Sequence, residues 1–199
     1  MLFRSMAKYI QETVTGTLLY VCIQQPTKKY ESDETEWKVS LVVDKKTAKE
    51  WNKRFSKQKA KEIDNAEFES IYKIQPPVHA QDEQYVIKIS QNTHTADGKA
   101  MYQPKVYEDI GGNNVVDITN TKLVGNGSIG SVSYTVVENK FGTFAKLNAL
   151  LVTDLIEYQK AGSNPFGKHV VTGTVVNKES VASVKQDTAI EEDDSDLPF

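Results

Sequence analysis

The chain has one cysteine, Cys22, in 199 residues. An internal disulfide is therefore excluded, and a reducing compartment is expected. Cys22 lies in an apolar stretch and reads as a small buried hydrophobe. The three histidines, His79, His94 and His169, are scattered. None has a second His, Cys or acid at metal-ligand spacing, so no metal site and no cofactor are expected. No run of about 18 apolar residues exists, so nothing reads as a membrane span. The opening residues Met1 to Ser5 lack a long apolar core behind a basic start, so no secretory leader is expected and the cytoplasm is the expected location. Gly125-Asn126-Gly127-Ser128-Ile129-Gly130 lacks the Lys and Ser/Thr of a phosphate loop, and the residues after it read as a strand. It reads as a tight backbone turn. There is no internal repeat.

Charge of one sign is scarce overall, but it is unevenly placed. The net charge is -3. From Lys185 onward stand one Lys and six acids, Asp187, Glu191, Glu192, Asp193, Asp194 and Asp196. That stretch carries -5, which leaves +2 on the rest. A mildly basic body joined to an acidic strip suits a body that binds a polyanion.

What is present is mostly strand pattern. Residues 15–24 are rich in β-branched and aromatic types. A polar loop follows from Pro26 to Glu34. Residues 36–44 alternate, with Trp37, Val39, Leu41 and Val43 on one face and Lys38 and Ser40 on the other. Residues 85–90 alternate again, with Tyr85, Ile87 and Ile89 opposite Lys88. Asp97-Gly98-Lys99 reads as a turn, Lys105-Val106-Tyr107 as a short strand, and Gly111 to Asn114 as a break before Val115 to Ile118. Val132, Tyr134 and Val136 alternate with Ser131, Ser133 and Thr135. A hairpin-sized connection at 139–142 then leads into residues 144–152. There Ala145, Leu147, Ala149 and Leu151 are expected on one face, and Phe144, Lys146 and Asn148 on the other. Residues 152–158 are a candidate last strand.

One helix stands out. Asp44 caps a helix expected over about 45–61. Trp51 and Phe55, at i and i+4, form its narrow packing face, and lysines fill most of the remainder. The fold class is therefore mainly β: an OB-type Greek-key β-barrel with an inserted lysine-rich helix and long loops, against a β-sandwich with the same insertion. The expected organisation is a domain over 1–162, an extension over 163–180 and an acidic, disordered tail over 181–199.

Lysines recur beside aromatics. Single-strand binders need that mixture, because lysines neutralise phosphates and exposed rings stack on unpaired bases. The candidate single-stranded-DNA-binding residues are Tyr30, Trp37, Lys38, Lys88, Lys105, Tyr107, Lys140, Phe144 and Lys146. Trp37 also falls on the apolar face of its strand. Phe144 is the stronger stacking candidate, because it shares a face with Lys146 and Asn148. The bland reading of each lysine is a solvated surface.

The last residues are a different signal. Glu191, Glu192, Asp193, Asp194 and Asp196 run into Leu197-Pro198-Phe199. A solubilising tail has no need of three terminal apolar residues, so the stretch reads as a peptide ligand anchored by Phe199. It resembles the C-terminal tip of bacterial single-stranded DNA-binding proteins, where acids followed by Ile-Pro-Phe or a close variant recruit replication and repair enzymes.

Residues 97–158 resemble a family of bacteriophage single-stranded DNA-binding proteins with an OB fold, related in plan to the T7-type helix-destabilising protein. Three stretches carry this: Gly98 through Pro104-Lys105-Val106, then Leu123-Val124-Gly125-Asn126-Gly127-Ser128, then Gly142-Thr143-Phe144-Ala145-Lys146-Leu147 onward. Lys146 matches a basic position of that family. Phe144 matches no aromatic position there, and T7-type tails usually end in acids and Phe without Leu-Pro. The resemblance implies a non-enzymatic, sequence-nonspecific protein of phage DNA replication, recombination or repair. It would bind single-stranded DNA, and its tail would recruit partner proteins and lie in the DNA groove when no DNA is bound. The alternatives are a metal-dependent nuclease acting on DNA and an interaction module that mimics DNA. Oligomeric state is not legible.

Overall fold

The computed structural model describes residues 10–78, 82–139 and 142–158. The chain divides into a unit Met1–Lys160 and a second, Ala161–Phe199. The expected extension and acidic tail lie outside the described residues. Among the described residues, no helix is long and apolar enough to cross a membrane.

The elements in chain order are β1 (Ile10–Lys28), β2 (Thr35–Val43), α1 (Lys45–Arg54), β3 (Lys61–Asp64), α2 (Asn65–Tyr72), β4 (Glu83–Asn92), β5 (Lys105–Gly111), β6 (Asn114–Asp117), β7 (Ile129–Asn139) and β8 (Gly142–Asp154). The sheet order is β3-β4-β2-β1-β7-β8-β5-β6, with an extra pairing of β4 to β8. That pairing is parallel and joins Ser90 to Lys146. It closes β1, β2, β4, β8 and β7 into a five-stranded barrel. Five strands closed by one parallel contact between the third and the fifth are the OB plan, so the sandwich alternative is not the architecture. A pairing row shows the tilt of the strands. It leaves β1 at Cys22, passes Lys38, Ser90, Lys146 and Thr135, and returns to β1 at Gln11, eleven residues earlier. Such a stagger is what closing a small barrel demands.

β1 serves two neighbours. Its first half pairs with β7 and its second with β2, and Thr17 belongs to both ladders. The chain is crowded at that corner. A Cβ on Gly16 would lie 2.2 Å from the Val42 carbonyl oxygen, so the sharp bend requires glycine. The barrel interior is filled from every strand. Leu18, Val39, Leu41, Ile87, Ile89, Val132, Leu147 and Leu150 are all fully buried there.

α1 starts where expected. The Asp44 carboxylate accepts hydrogen bonds from the backbone N–H groups of Lys46 and Thr47 at 2.8 and 3.0 Å. The Thr47 hydroxyl, which donates to the same carboxylate, is the leading cause of its lowered pKa. The helix stops at Arg54, well short of the expected 61, for tertiary reasons. Phe55 turns into the core beside Trp51, and both rings contact Tyr134 at 5.9 and 5.4 Å. Gln58 then engages β8 like a strand partner, donating to the Ala145 carbonyl and accepting from its N–H at 3.1 and 2.6 Å. The indole N–H of Trp51 donates to the Gln58 carbonyl at 2.6 Å. Those contacts outweigh continued helix, and the lysine-rich remainder departs into β3.

β3 and α2 are two elements that the sequence pattern did not announce. α2 is capped by Asp64 and ends on Lys73 in the left-handed region. Phe68 joins Leu19, Val42, Ile63 and Val86 in a second small core on the outside of the barrel. α2 therefore covers one end of the outer face of β1, β2 and β4.

Two bulges correct the expected faces. In β8, Ser133 pairs with Ala149 but Tyr134 pairs with Leu147, so Asn148 is an extra residue. Thr135 and Asn148 exchange side-chain hydrogen bonds at 3.1 and 2.8 Å across it. Beyond the bulge, Leu150 and Val152 are buried, and Ala149 and Leu151 are not. In β1, register shifts flank Cys22. They turn it to the outer surface, half-buried, while Ile23 takes the core position. Residues 152–158 form no separate strand: β8 ends at Asp154, and Glu157 makes an isolated bridge to Val124.

Candidate nucleic-acid interface

In an OB barrel, oligonucleotides are taken by the face of the second and third strands and by the loops joining the first to the second and the fourth to the fifth. Here those are the outer face of β2 and β4, the loop at 29–34 and the connection from β7 to β8, which lies outside the described residues. Alternation puts Lys38 and Ser40 of β2 outward, because Trp37, Val39 and Leu41 fill the interior. It does the same for Lys88 and Ser90 of β4, because Ile87 and Ile89 are interior. Register pairs Lys38 with Ser90, Ser40 with Lys88, and Glu36 with Asn92. The parallel contact then sets Lys146 of β8 beside Ser90. Cys22, Lys38, Ser90 and Lys146 thus form one line across four strands.

The cations on this face differ in what neutralises them. Lys88 donates to the carboxylate of Glu36, whose side chain is only 5 % exposed. Lys38 and Lys146 have no acidic partner among the described residues. They stand two strand spacings apart, about 10 Å. Between them the polar surface is serine, which adds no opposing charge. Burial raises the Cys22 thiol pKa, and the nearby Lys38 partly offsets that rise.

The other candidates distribute as follows. Tyr30 projects from the tip of the loop between β1 and β2 and is 89 % exposed. Its neighbours Lys28 and Lys29 pair with Asp33 and Glu34 at 3.4 and 2.7 Å, and Lys29 lowers the pKa of Glu34. Phe144 is half-buried on the outer side of β8, opposite Val137, two residues from Lys146. Trp37 is 8 % exposed and is a core side chain. Lys105 and Tyr107 share a face of β5, which extends the sheet from the far half of β8. Lys105 is paired with Asp117 at 3.0 Å. The Asp117 carboxyl is lowered to about 2, first by the hydrogen bond from Thr119 and then also by Lys105. Lys140 lies outside the described residues.

The structure therefore brings Lys38, Lys88 and Lys146 together with Phe144 close by, and sets Tyr30 on a flanking loop. Lys105 and Tyr107 sit apart. Sequence reasoning placed Ser40 on the outward face but counted neither it nor Ser90, Asn92 or Cys22 among the site residues. The first three follow from the same alternation that located the lysines. Cys22 does not, because bulges shift its parity. Among the described residues, no cluster of three or more His, Cys, Asp or Glu could hold a metal ion.

No family model and no curated protein matches the chain. Among solved structures, the chain is similar to gp2.5, a single-stranded DNA-binding protein encoded by bacteriophage T7. Identity is 16 % and the TM-score 0.41, over 79 % of this chain and 97 % of that one. It is also similar to the single-stranded DNA-binding protein of bacteriophage Enc34 in complex with ssDNA. There identity is 14 % and the TM-score 0.40, over 72 % and 86 % of the two chains.

Proposed function

We propose that this protein binds single-stranded nucleic acid on the outer face of β2, β4 and β8, without sequence preference and without catalysis. The observation that carries this reading is the line Lys38-Ser90-Lys146, two lysines without an acidic partner among the described residues, on the outer face of a closed OB barrel. Lysines there neutralise phosphates, while Phe144 and the exposed Tyr30 are placed to stack on bases. Single strands suit this face better than a duplex, since its rings can stack only on unpaired bases. The role in phage replication, recombination or repair, in the host cytoplasm, belongs to the same proposal. So does recruitment of partner proteins through Glu191 to Phe199. The Leu197-Pro198-Phe199 terminus supports that part, because a buried aromatic is the usual anchor of a peptide ligand.

The test is a titration of fluorophore-labelled oligo-dT and of a duplex of equal length, at one salt concentration, in chelator. Wild-type protein should prefer oligo-dT. Lys38→Ala with Lys146→Ala should weaken oligo-dT binding strongly while leaving the thermal transition in place. Equal affinity for duplex and oligo-dT, or full affinity in the double variant, would sink the reading. A replication or repair protein that captures the full-length chain should release a chain lacking Phe199, whose DNA affinity is unchanged.

A further inference from the structure

A groove of about 680 Å³ lies beside the proposed DNA face, on the outer side of β1. That is the size of an ordinary small-ligand site. One wall is the bulged second half of β1, from Tyr20 to Thr27. The second is the end of α2 with the residues after it, including Tyr72 and Lys73. The third is Leu123 to Asn126 with Ile156 to Tyr158.

The walls are tied together. Tyr20 has a positive φ of 46°, its N–H donates to the Asn126 side-chain oxygen at 2.8 Å, and its hydroxyl donates to the Ile71 carbonyl at 2.9 Å. The Asn126 amide donates to the Tyr72 carbonyl at 3.2 Å. The glycine-rich turn has its explanation here. Gly125 donates to the Ile156 carbonyl at 2.7 Å, and a Cβ on it would stand 2.9 Å from that oxygen. Gly127 has φ +93° and donates to the Leu18 carbonyl at 3.0 Å. The turn is thus one fixed wall of a groove. A bulge that re-aims a tyrosine at a strained backbone angle is a device found beside binding sites.

The chemistry of the groove narrows its occupant. Tyr20 and Tyr158 are about half exposed, at 46 % and 53 %, and Tyr72 packs 5.3 Å from Tyr20. Among these apolar surfaces lie two buried side-chain oxygens, Gln24 Oε1 and Thr27 Oγ1, with no hydrogen-bond partner among the described residues. The Gln24 amide nitrogen donates to the Lys122 carbonyl at 2.9 Å, which fixes the orientation of the amide and leaves its oxygen as the open acceptor. Unpaired buried polar atoms are costly, and each calls for a partner. Flat rings, an acceptor and a hydroxyl match the face and edge of a nucleobase, and Lys73 offers a cation for the attached phosphate. The groove is continuous with the proposed DNA face, because Cys22 lines it and is also the register partner of Lys38.

We infer that this groove is a nucleobase subsite, taking one unpaired base of a strand that also crosses the face of β2 and β4. This rests on the proposed function. A base that parts the side chains over Gln24 and Thr27 supplies the partners that the described residues withhold.

Thr27→Val tests it with the full-length chain. The change keeps the shape and deletes an unpaired hydroxyl, so the thermal midpoint should hold or rise. Affinity for oligo-dT of about 16 nucleotides should fall about five- to tenfold. That loss should vanish on an oligomer of the same length built of abasic sites, whereas Lys38→Ala should weaken both ligands. Tyr158→Ala, at the exposed side of the groove, should repeat the base-dependent loss. Wild-type affinity in both variants overturns the inference and assigns the groove to another occupant. So does a loss equal on both oligomers, or one that follows falling stability. If wild-type protein fails to prefer oligo-dT over duplex, the proposed function fails first. If it prefers oligo-dT and the variants do too with full strength, only the subsite fails.

Discussion

At the scale of single residues, the proposed function rests on which cations are left without an acidic partner among the described residues. Lys88, Lys105, Lys28 and Lys29 each have an acid within ion-pair distance. An exposed pair contributes little to stability but competes with a phosphate for the lysine. Lys38 and Lys146, on the proposed DNA face, have no acidic partner among the described residues. Phe144 stands two residues from Lys146 on the same side of β8, and the proposed function gives its ring the stacking role. Phe144→Ala should cost roughly 1–3 kcal/mol in single-stranded DNA affinity, the usual worth of a base-aromatic stack. Its ring points away from the barrel interior, so the thermal midpoint should change little. Oligo-dT titration beside a melting curve checks both. Unaltered affinity with a collapsed midpoint would mean that the ring supports the fold instead.

At the scale of elements, strands do the positioning and bulges decide which side chains they present. β2 and β4 are regular, so every outward residue can be predicted once one is known. β1 is not regular. It bends at Gly16, changes partner at Thr17, and carries two register shifts around Cys22. The bend does not tolerate a side chain, since a Cβ at Gly16 meets first the backbone carbonyl of Val42 and not a movable side-chain end. Gly16→Ala should therefore destabilise the protein by about 3 kcal/mol, the upper part of the range for overpacking. Thermal or urea denaturation reads this directly. A shift under about 0.5 kcal/mol would show that β1 can part from β2 at little cost.

At the scale of the whole molecule, charge sets how binding responds to salt. Removing residues 191–199 deletes five acidic side chains and moves the net charge from -3 to +2. Attraction for a polyanion should strengthen, most at low ionic strength and little at high, because salt screens charges beyond about a Debye length. Lysine contacts should appear separately, as a log-log salt slope of about -0.7 for each phosphate engaged. Replacing Lys38 and Lys146 together should flatten that slope by about 1.4. Titrations of full-length and shortened chains across a salt series measure both effects. Weaker binding by the shortened chain, or a slope untouched by the lysine changes, would refute this account.

The sequence by itself determined the class of fold, the core residues of the regular strands, the start of α1 and which lysines of β2, β4 and β8 face outward. Those depend on local rules: period-two alternation, a capping aspartate, and lysines opposite apolar neighbours. Tertiary structure decided the rest. α1 ends at Arg54 because Phe55 and Gln58 find partners on β7 and β8, which no helix propensity encodes. Leu150 and Val152 displace Ala149 and Leu151 from the core because a bulge at Asn148 resets the alternation. Cys22 faces outward for the same kind of reason. The groove was illegible because its walls come from three separated segments of chain. Its glycine turn reads locally as a plain connection, and it becomes a wall only when Ile156 and Tyr20 arrive from opposite ends of the barrel domain.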